Sequence, residues 1–280
     1  MEEWRFIRSG SGSPAYNMAV DEAILTAVSE GKAAPTVRFY GWSPATLSIG
    51  YFQKAKQEID FDALEREGIG FVRRATGGRA VLHDKELTYS IIVPESYPGI
   101  PRSVTEAYRV LSEGSLSGFR RLGLAADMVK LESEEDKTQY ASMGSAACFD
   151  SPSWYELVVE GRKIAGSAQT RQKGVVLQHG SILLDLDADQ LFRMLRFSSE
   201  RVAERMKRQF EQKAVAINDL LRSVGKPEAS LAEAEKAFEA GIAEGLGIKL
   251  GEAELSPYEE ELAQQLVREK YGNEEWNLRR

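Results

Sequence analysis

Apolar positions recur at helical spacing from Pro14 to Ser29, where Met18, Ile24, Leu25 and Val28 share a face. Ser13 is placed to cap that helix, Pro14 suits its first position and Gly31 is placed to end it. The pattern then shortens to β-rich runs, Thr36–Tyr40 and Thr46–Phe52, with Gly41 and Pro44 marking the turn between them. Asp60–Glu67 predicts a short helix capped by Asp60. Gly70–Arg74, Ala80–His83 and Leu87–Val93 predict strands divided by a glycine turn and a charged turn. Helical periodicity returns over Ser103–Leu122, whereas Leu131–Pro152 has no period, is rich in Ser, Ala and Glu, and reads as a long loop.

Trp154–Glu160, Arg162–Arg171 and Val175–Leu184 predict consecutive antiparallel strands joined at Glu160-Gly161 and Lys173-Gly174. Beyond Asp187 the pattern is helical: Asp187–Phe197, Ser199–Phe210, Ile217–Val224, Ser230–Gly245 and Pro257–Tyr271, with one short strand near Ile248–Leu250. The sum is an α+β fold with mixed or antiparallel sheets flanked by helices and a helical C-terminal part.

Composition narrows the class. A chain of 280 residues, 42% hydrophobic and 28% charged, can bury a full core without disulfides or metals. No apolar run exceeds strand size, so no membrane partner is expected, and the opening MEEWRFIRSG lacks an apolar signal core, so the expected address is cytoplasmic. One cysteine and two histidines leave too few ligands for an ordinary zinc site, so no metal is expected. The net charge of −7 argues against a general nucleic-acid binder and leaves room for local basic clusters.

The stretch Arg73-Arg74-Ala75-Thr76-Gly77-Gly78-Arg79-Ala80-Val81-Leu82-His83-Asp84 is the densest in candidate chemistry. Its glycines let the backbone approach a ligand, and its arginines favour a negative group; the alternative is a hairpin with solvated arginines. His83 and Asp84 are neighbours on a strand and point to opposite faces, so they do not read as a dyad. Neither His83 nor His179 completes a Ser/His/Asp triad in sequence. Cys148 stands in a polar loop of small residues, where a thiol is reachable, and a nucleophilic thiol needs a cation to lower its pKa. Lys163 is the candidate cation, on an expected strand where Gly166, Ser167 and Ala168 leave space for a ligand.

Taken together, Arg73–Asp84, Gly161-Arg162-Lys163-Ile164-Ala165-Gly166-Ser167-Ala168-Gln169, Asn17–Glu22 and Tyr271–Asn277 resemble the biotin/lipoate protein ligase superfamily over most of the chain. Within it the sequence is similar to the octanoyl-[acyl carrier protein]:protein N-octanoyltransferases of Bacillus-type bacteria, because Cys148 precedes the strand leading to Lys163. The resemblance implies a ligase-like catalytic domain over residues 1–250 with a helical extension, 251–280, packed on it. It implies Cys148 as the nucleophile that carries an acyl thioester and Lys163 as its electrostatic partner. Arg73, Gly77, Gly78, Arg79, His83 and Gly166 are implied in substrate binding, with Val72, Val81, Leu82 or Ile164 as pocket walls.

The implied reaction moves an octanoyl group from octanoyl-acyl carrier protein to a lysine of a lipoyl domain, such as the glycine cleavage H protein, without a cofactor. Three other readings stay open on sequence: an ATP-dependent lipoate ligase, an amidotransferase working between lipoyl domains, and a non-catalytic acyl-binding module. Because this chain is acidic, acidic protein partners call for a local basic mouth, drawn from Arg73, Arg74 and Arg79, from Arg120-Arg121, or from Arg201–Arg208.

Overall fold

The computed structural model describes residues 3–131 and 155–280. In chain order the strands are β1 (Glu3–Gly12), β2 (Thr36–Trp42), β3 (Thr46–Ile49), β4 (Gly70–Arg73), β5 (Val81–His83), β6 (Glu86–Pro94), β7 (Asp127–Lys130), β8 (Tyr155–Val159), β9 (Arg162–Lys163), β10 (Ala165–Gln172), β11 (Val175–Leu183) and β12 (Lys249–Glu252). The helices are α1 (Pro14–Ser29), α2 (Ala55–Glu58), α3 (Phe61–Glu67), α4 (Val104–Arg121), α5 (Ala188–Arg193), α6 (Glu200–Lys213), α7 (Ile217–Ser223), α8 (Leu231–Leu246), α9 (Pro257–Leu266) and α10 (Glu274–Asn277). A π-helical turn, Val267–Tyr271, follows α9 directly.

A six-stranded mixed sheet in the order β10-β11-β6-β2-β1-β12 divides the molecule. Side-chain alternation decides what each face holds. Val37, Phe39, Leu87, Tyr89, Ile91, Val176 and Ile182 pack with Leu111 and Phe119 of α4 and Phe238 and Ile242 of α8. On the opposite face Ile92, Val175 and Leu177 meet Met18, Ile24 and Leu25 of α1, and Ala263 and Tyr271 cover the outer side of that helix. A smaller sheet, β4-β3-β5, packs with α2, α3, α5 and α6. A third sheet is the antiparallel set β7-β8-β9.

Local chemistry explains these elements. The Ser13 hydroxyl accepts from the Tyr16 amide with Pro14 at the first turn of α1, and Ser230 and Ser256 form reciprocal capping boxes with Glu233 and Glu259. The Glu160-Gly161 and Lys173-Gly174 turns adopt positive φ at both residues, as two-residue hairpins require.

Four readings of the pattern change. β1 was not legible, because only Trp4, Phe6 and Ile7 among ten largely polar residues are buried. The expected strand Arg162–Arg171 breaks at Ile164, so β9 stays with β8 while β10 crosses into the large sheet. The helix from Pro257 changes from α to π pitch at Val267. β12 runs across residue 250 and pairs in parallel with β1, so the main sheet itself extends into the expected C-terminal extension.

Candidate active site

The polar end of the α1-facing side of the large sheet holds a narrow slot. It is lined by Met18, Tyr40, Trp42, Arg74, Val81, His83, Thr88, Gly166–Ala168 and His179–Ser181. Strand alternation brings this set together, since Tyr40, Trp42, Thr88, His179 and Ser181 stand on the face that packs on α1. Val81 also lines a broader cleft bounded by Asp84-Lys85, Arg162, Asp185–Leu191 and the end of α6.

Two buried hydroxyl–imidazole–carboxylate chains stiffen the walls. Ser48 Oγ lies 2.7 Å from His83 Nε2, and His83 Nδ1 lies 3.1 Å from Glu86 Oε1. Arg74 Nη1 donates to Ser48 Oγ at 2.7 Å, and a guanidinium can only donate. With a single ring hydrogen, Nδ1–H donates to the Glu86 carboxylate, which can only accept, and Nε2 accepts from the Ser48 hydroxyl. Thr88 and Ser181 also donate to Glu86, Trp42 Nε1 donates to Thr88, and the Trp42 ring stacks on His83 at 4.3 Å.

In the second chain Thr76 Oγ1 is 2.6 Å from His179 Nε2, and His179 Nδ1 is 3.3 Å from Asp21 Oδ2. Asp21 also accepts from Arg38 at 2.8 Å, from Tyr40 and from Ser90. Burial pushes the Asp21 carboxyl up, but Arg38 and His179 outweigh it and hold it below the usual range. Burial lowers His179 below its ordinary value despite the bond to Asp21, so the ring is neutral at pH 7. With its nitrogens engaged inside the protein, each imidazole offers the slot carbon edges and a ring face.

The glycine turn adjoins the slot, since a Cβ on Gly78 would lie 3.3 Å from Arg74 Nη2 and 3.9 Å from Ala168 Cβ. Gly78 has φ +89°, and a Cβ on Gly50 would lie 2.0 Å from the Gly78 carbonyl oxygen, so both positions demand glycine. Arg74 Nη2 ties the turn from inside through the carbonyls of Gly77 and Arg79. Gly77 faces open space, and the half-buried Arg79 side chain makes no ion pair among the described residues.

Lys163 lies on the adjoining small sheet. The hairpin pairs Val158 with Lys163, so Glu156, two residues before Val158, shares the face of the lysine. Lys163 Nζ meets Glu156 Oε2 at 2.9 Å, and both side chains are buried. The Val215 amide donates to the Lys163 carbonyl at 3.0 Å, which fixes the strand against the segment after α6. Cys148 and the loop expected around it lie outside the described residues.

Arg73 requires a correction. Its guanidinium is fully buried and bonds the carbonyls of Gly50, Tyr51, Gln53, Trp276 and Asn277, so every nitrogen is engaged by backbone. Burial and the nearby Arg279 and Arg280 lower its pKa to about 10. Arg73 and Arg74 are adjacent on an extended segment and diverge; the second lines the slot and the first braces the frame. His83 is buried and Asp84, its neighbour on the chain, is exposed. Of the expected walls Val81 lines the slot, while Val72, Leu82 and Ile164 pack in the three cores. Sequence reasoning did not single out Trp42, Ser181 or Glu156; it gave Arg74 only to a basic mouth and found no partner for His179.

The chain is 62% identical over 280 residues to the octanoyltransferase LipM of Brevibacillus brevis, with both chains fully covered. It is 58% identical over 279 residues to the octanoyltransferase LipM of Bacillus subtilis, covering 100% of this chain and 99% of that one. Among solved structures, the bipartite lipoate protein ligase of Thermoplasma acidophilum, described with its E2 lipoyl domain, superposes with TM-score 0.79 at 26% identity, covering 99% of this chain and 97% of that one. Lipoate-protein ligase A bound with ATP gives TM-score 0.77 at 28% identity over 99% and 98% of the two chains. The family described as the lipoyl protein ligase A/B catalytic domain matches residues 13–243, and this chain belongs to that family.

Proposed function

We propose that this protein transfers an octanoyl group from octanoyl-acyl carrier protein to a lysine of a lipoyl domain, the glycine cleavage H protein among them, through a thioester on Cys148. The observation that carries the reading is identity of 55–62% over the whole chain to proteins named octanoyltransferase. The Cys148 thiolate attacks the donor thioester, a sulfur–carbonyl bond forms on the enzyme, and the carrier thiol leaves with a proton. The lysine amine then attacks the enzyme thioester, an amide forms and Cys148 regains its thiol. The acyl carbon is activated as a thioester from the start, so the reaction asks for no ATP. Dividing it in two is covalent catalysis with ping-pong kinetics.

Lys163 supplies the positive charge that favours thiolate over thiol, each pKa unit of depression being worth about 1.4 kcal/mol. Its ion pair with Glu156 supports that role, because a buried ammonium without a counter-charge tends to lose its proton. The slot suits the acyl tail. Its lining includes Met18, Trp42, Val81, Ala168 and the carbon edges of two imidazoles. Its polar members Tyr40, Arg74, Thr88, Ser167 and Ser181 are already bonded within the protein, so an apolar chain strands none of those groups. The slot encloses only about 20 Å³ here, so its walls must part for eight carbons to enter. Arg79, Gly77 and Gly78 stand at the entrance, and Gly166 on the strand that floors it.

Incubation with octanoyl-acyl carrier protein without ATP, followed by intact-mass analysis, tests the reading. The expected result is one added octanoyl group, absent in Cys148→Ser, which then passes to a lipoyl domain. Absence of the adduct, with acyl transfer from free acid and ATP instead, would make the protein a ligase.

A further inference from the structure

We propose that Phe52, Lys54, Arg279 and Arg280 form the docking surface for the lipoyl-domain acceptor, which is recognised as an acidic protein face brought to the rim of the slot. The inference rests on the acyl-transfer reading for the identity of the partner.

The surface is a ladder of alternating rings and guanidinium groups. Arg279 Cζ lies 4.9 Å from the Trp276 ring and 4.3 Å from the Tyr51 ring, and Arg280 Cζ lies 5.3 Å from the Phe52 ring. Arg279 Nη2 also bonds the Tyr51 hydroxyl at 2.8 Å. Phe52 is 67% exposed, the most exposed large apolar side chain among the described residues. No carboxylate lies within ion-pair reach of Lys54, Arg279 or Arg280 among the described residues, and the neighbouring Glu58 is engaged by Gln53 and the Lys54 amide. In a chain of net charge −7, three unneutralised cations around an exposed phenyl ring are complementary to an acidic protein face.

The other basic candidates do not offer this. Arg73 and Arg74 are buried, the half-buried Arg79 makes no ring contact among the described residues, and Arg120 and Arg121 pair with Asp127 and Glu244. The stripe on α6 is interleaved with Glu200, Glu204 and Glu211 and has no exposed aromatic anchor.

The ladder is also tied to the slot wall by a chain of contacts. Arg73 binds the carbonyls of Gly50, Tyr51 and Gln53 on one side and of Trp276 and Asn277 on the other. The Tyr51 amide donates to the Thr76 carbonyl, Gly50 packs on Gly78, and Gly78 abuts Ala168 in the slot wall. Holding the ladder rigid before binding lowers the entropic cost of association. A lysine carries its amine on only four carbons, so the domain bearing it must dock against the rim itself. A donor that presents its acyl group on a long prosthetic arm has no such need, which assigns this surface to the acceptor.

Calorimetric titration of the protein with an apo lipoyl domain needs no turnover and tests docking apart from chemistry. Arg280→Glu combined with Phe52→Ala alters only exposed side chains. It is expected to weaken binding by about tenfold or more and to flatten its salt dependence. Acyl loading from octanoyl-acyl carrier protein, measured in parallel by mass, is expected to keep its rate. Binding within about twofold of the parent, or no measurable binding by the parent protein, would overturn the proposal. So would a selective loss of loading, which would give the surface to the donor. A parent protein that binds the lipoyl domain, and loses that binding in the variant, yet transfers no octanoyl group would refute the transfer reading and leave the docking surface standing.

Discussion

Glu156→Gln keeps the shape of a buried side chain and deletes its charge. Lys163 is 5% exposed and Glu156 1% exposed, with Nζ and Oε2 2.9 Å apart. Mutual attraction is what offsets the desolvation of both ions, so removing one partner of such a pair costs about 3–5 kcal/mol. An exposed pair would cost about 1 kcal/mol or less, so the magnitude separates the two cases. Urea unfolding measures it as a lower midpoint at unchanged slope. The double variant Glu156→Gln with Lys163→Met removes both charges, and replacing a buried pair outright is neutral or stabilising. It is therefore expected to unfold at a higher midpoint than Glu156→Gln alone while loading octanoyl poorly. A single variant within about 0.5 kcal/mol of the parent, or losses that simply add in the double variant, would refute the reasoning.

Gly180→Ala places a Cβ 2.5 Å from Ser167 Oγ and 2.7 Å from Tyr89 Cε1, on the face of the large sheet opposite the slot. It is expected to cost about 1–3 kcal/mol, read as a lower urea midpoint, while octanoyl and two- or four-carbon acyl groups load at an unchanged ratio; selective slowing of octanoyl loading by intact-mass kinetics would place the tail on the Tyr89 face. Because burial holds His179 below its ordinary value of 6.5, the ring takes up a proton on unfolding before it does so in the fold. Stability is then expected to fall as pH drops below about 6.5, by up to about 1.4 kcal/mol per pH unit, until the folded ring also titrates. Urea unfolding from pH 7.5 to pH 5 should show His179→Gln without that component, and an identical slope in the variant would exclude it.

Where periodicity was strong the sequence was readable, as in α1, whose cap, length and stop all agree with the structure. β1 was not, because its burial comes from two parallel neighbours, β2 and β12, and not from its own alternation. The two arginines illustrate a different limit. Adjacent residues on an extended segment face opposite ways, and only the packing of the Trp276–Asn277 segment decides which one is taken up by backbone carbonyls. Glu156, by contrast, was within reach of the sequence. A two-residue turn at Glu160-Gly161 sets Val159 opposite Arg162 and Val158 opposite Lys163, which leaves Glu156 diagonal to the lysine on the same face. His179 carried only a weak signal, since its carboxylate partner, Asp21, is 158 positions away.

The proposed chemistry also accounts for how a ligase fold works without a nucleotide. On the proposed reading the slot, its two histidine chains and the glycine turn receive the acyl tail, and none of them depends on how the acyl carbon is activated. On the same reading activation falls to the third sheet, where Lys163 meets Glu156. An ammonium fixed there serves any negative group formed next to it, a phosphate-linked acyl group in a ligase or a thiolate in a transferase, because electrostatic stabilisation requires charge and position and not a particular partner. On this reasoning a cysteine within reach of Lys163 is the addition that replaces ATP, and the acceptor meets the same rim either way. The rim formed by Phe52, Arg279 and Arg280 is then bound to the acceptor and not to the activation chemistry, so changes there should alter which lipoyl domain is used before they alter how the acyl group is loaded.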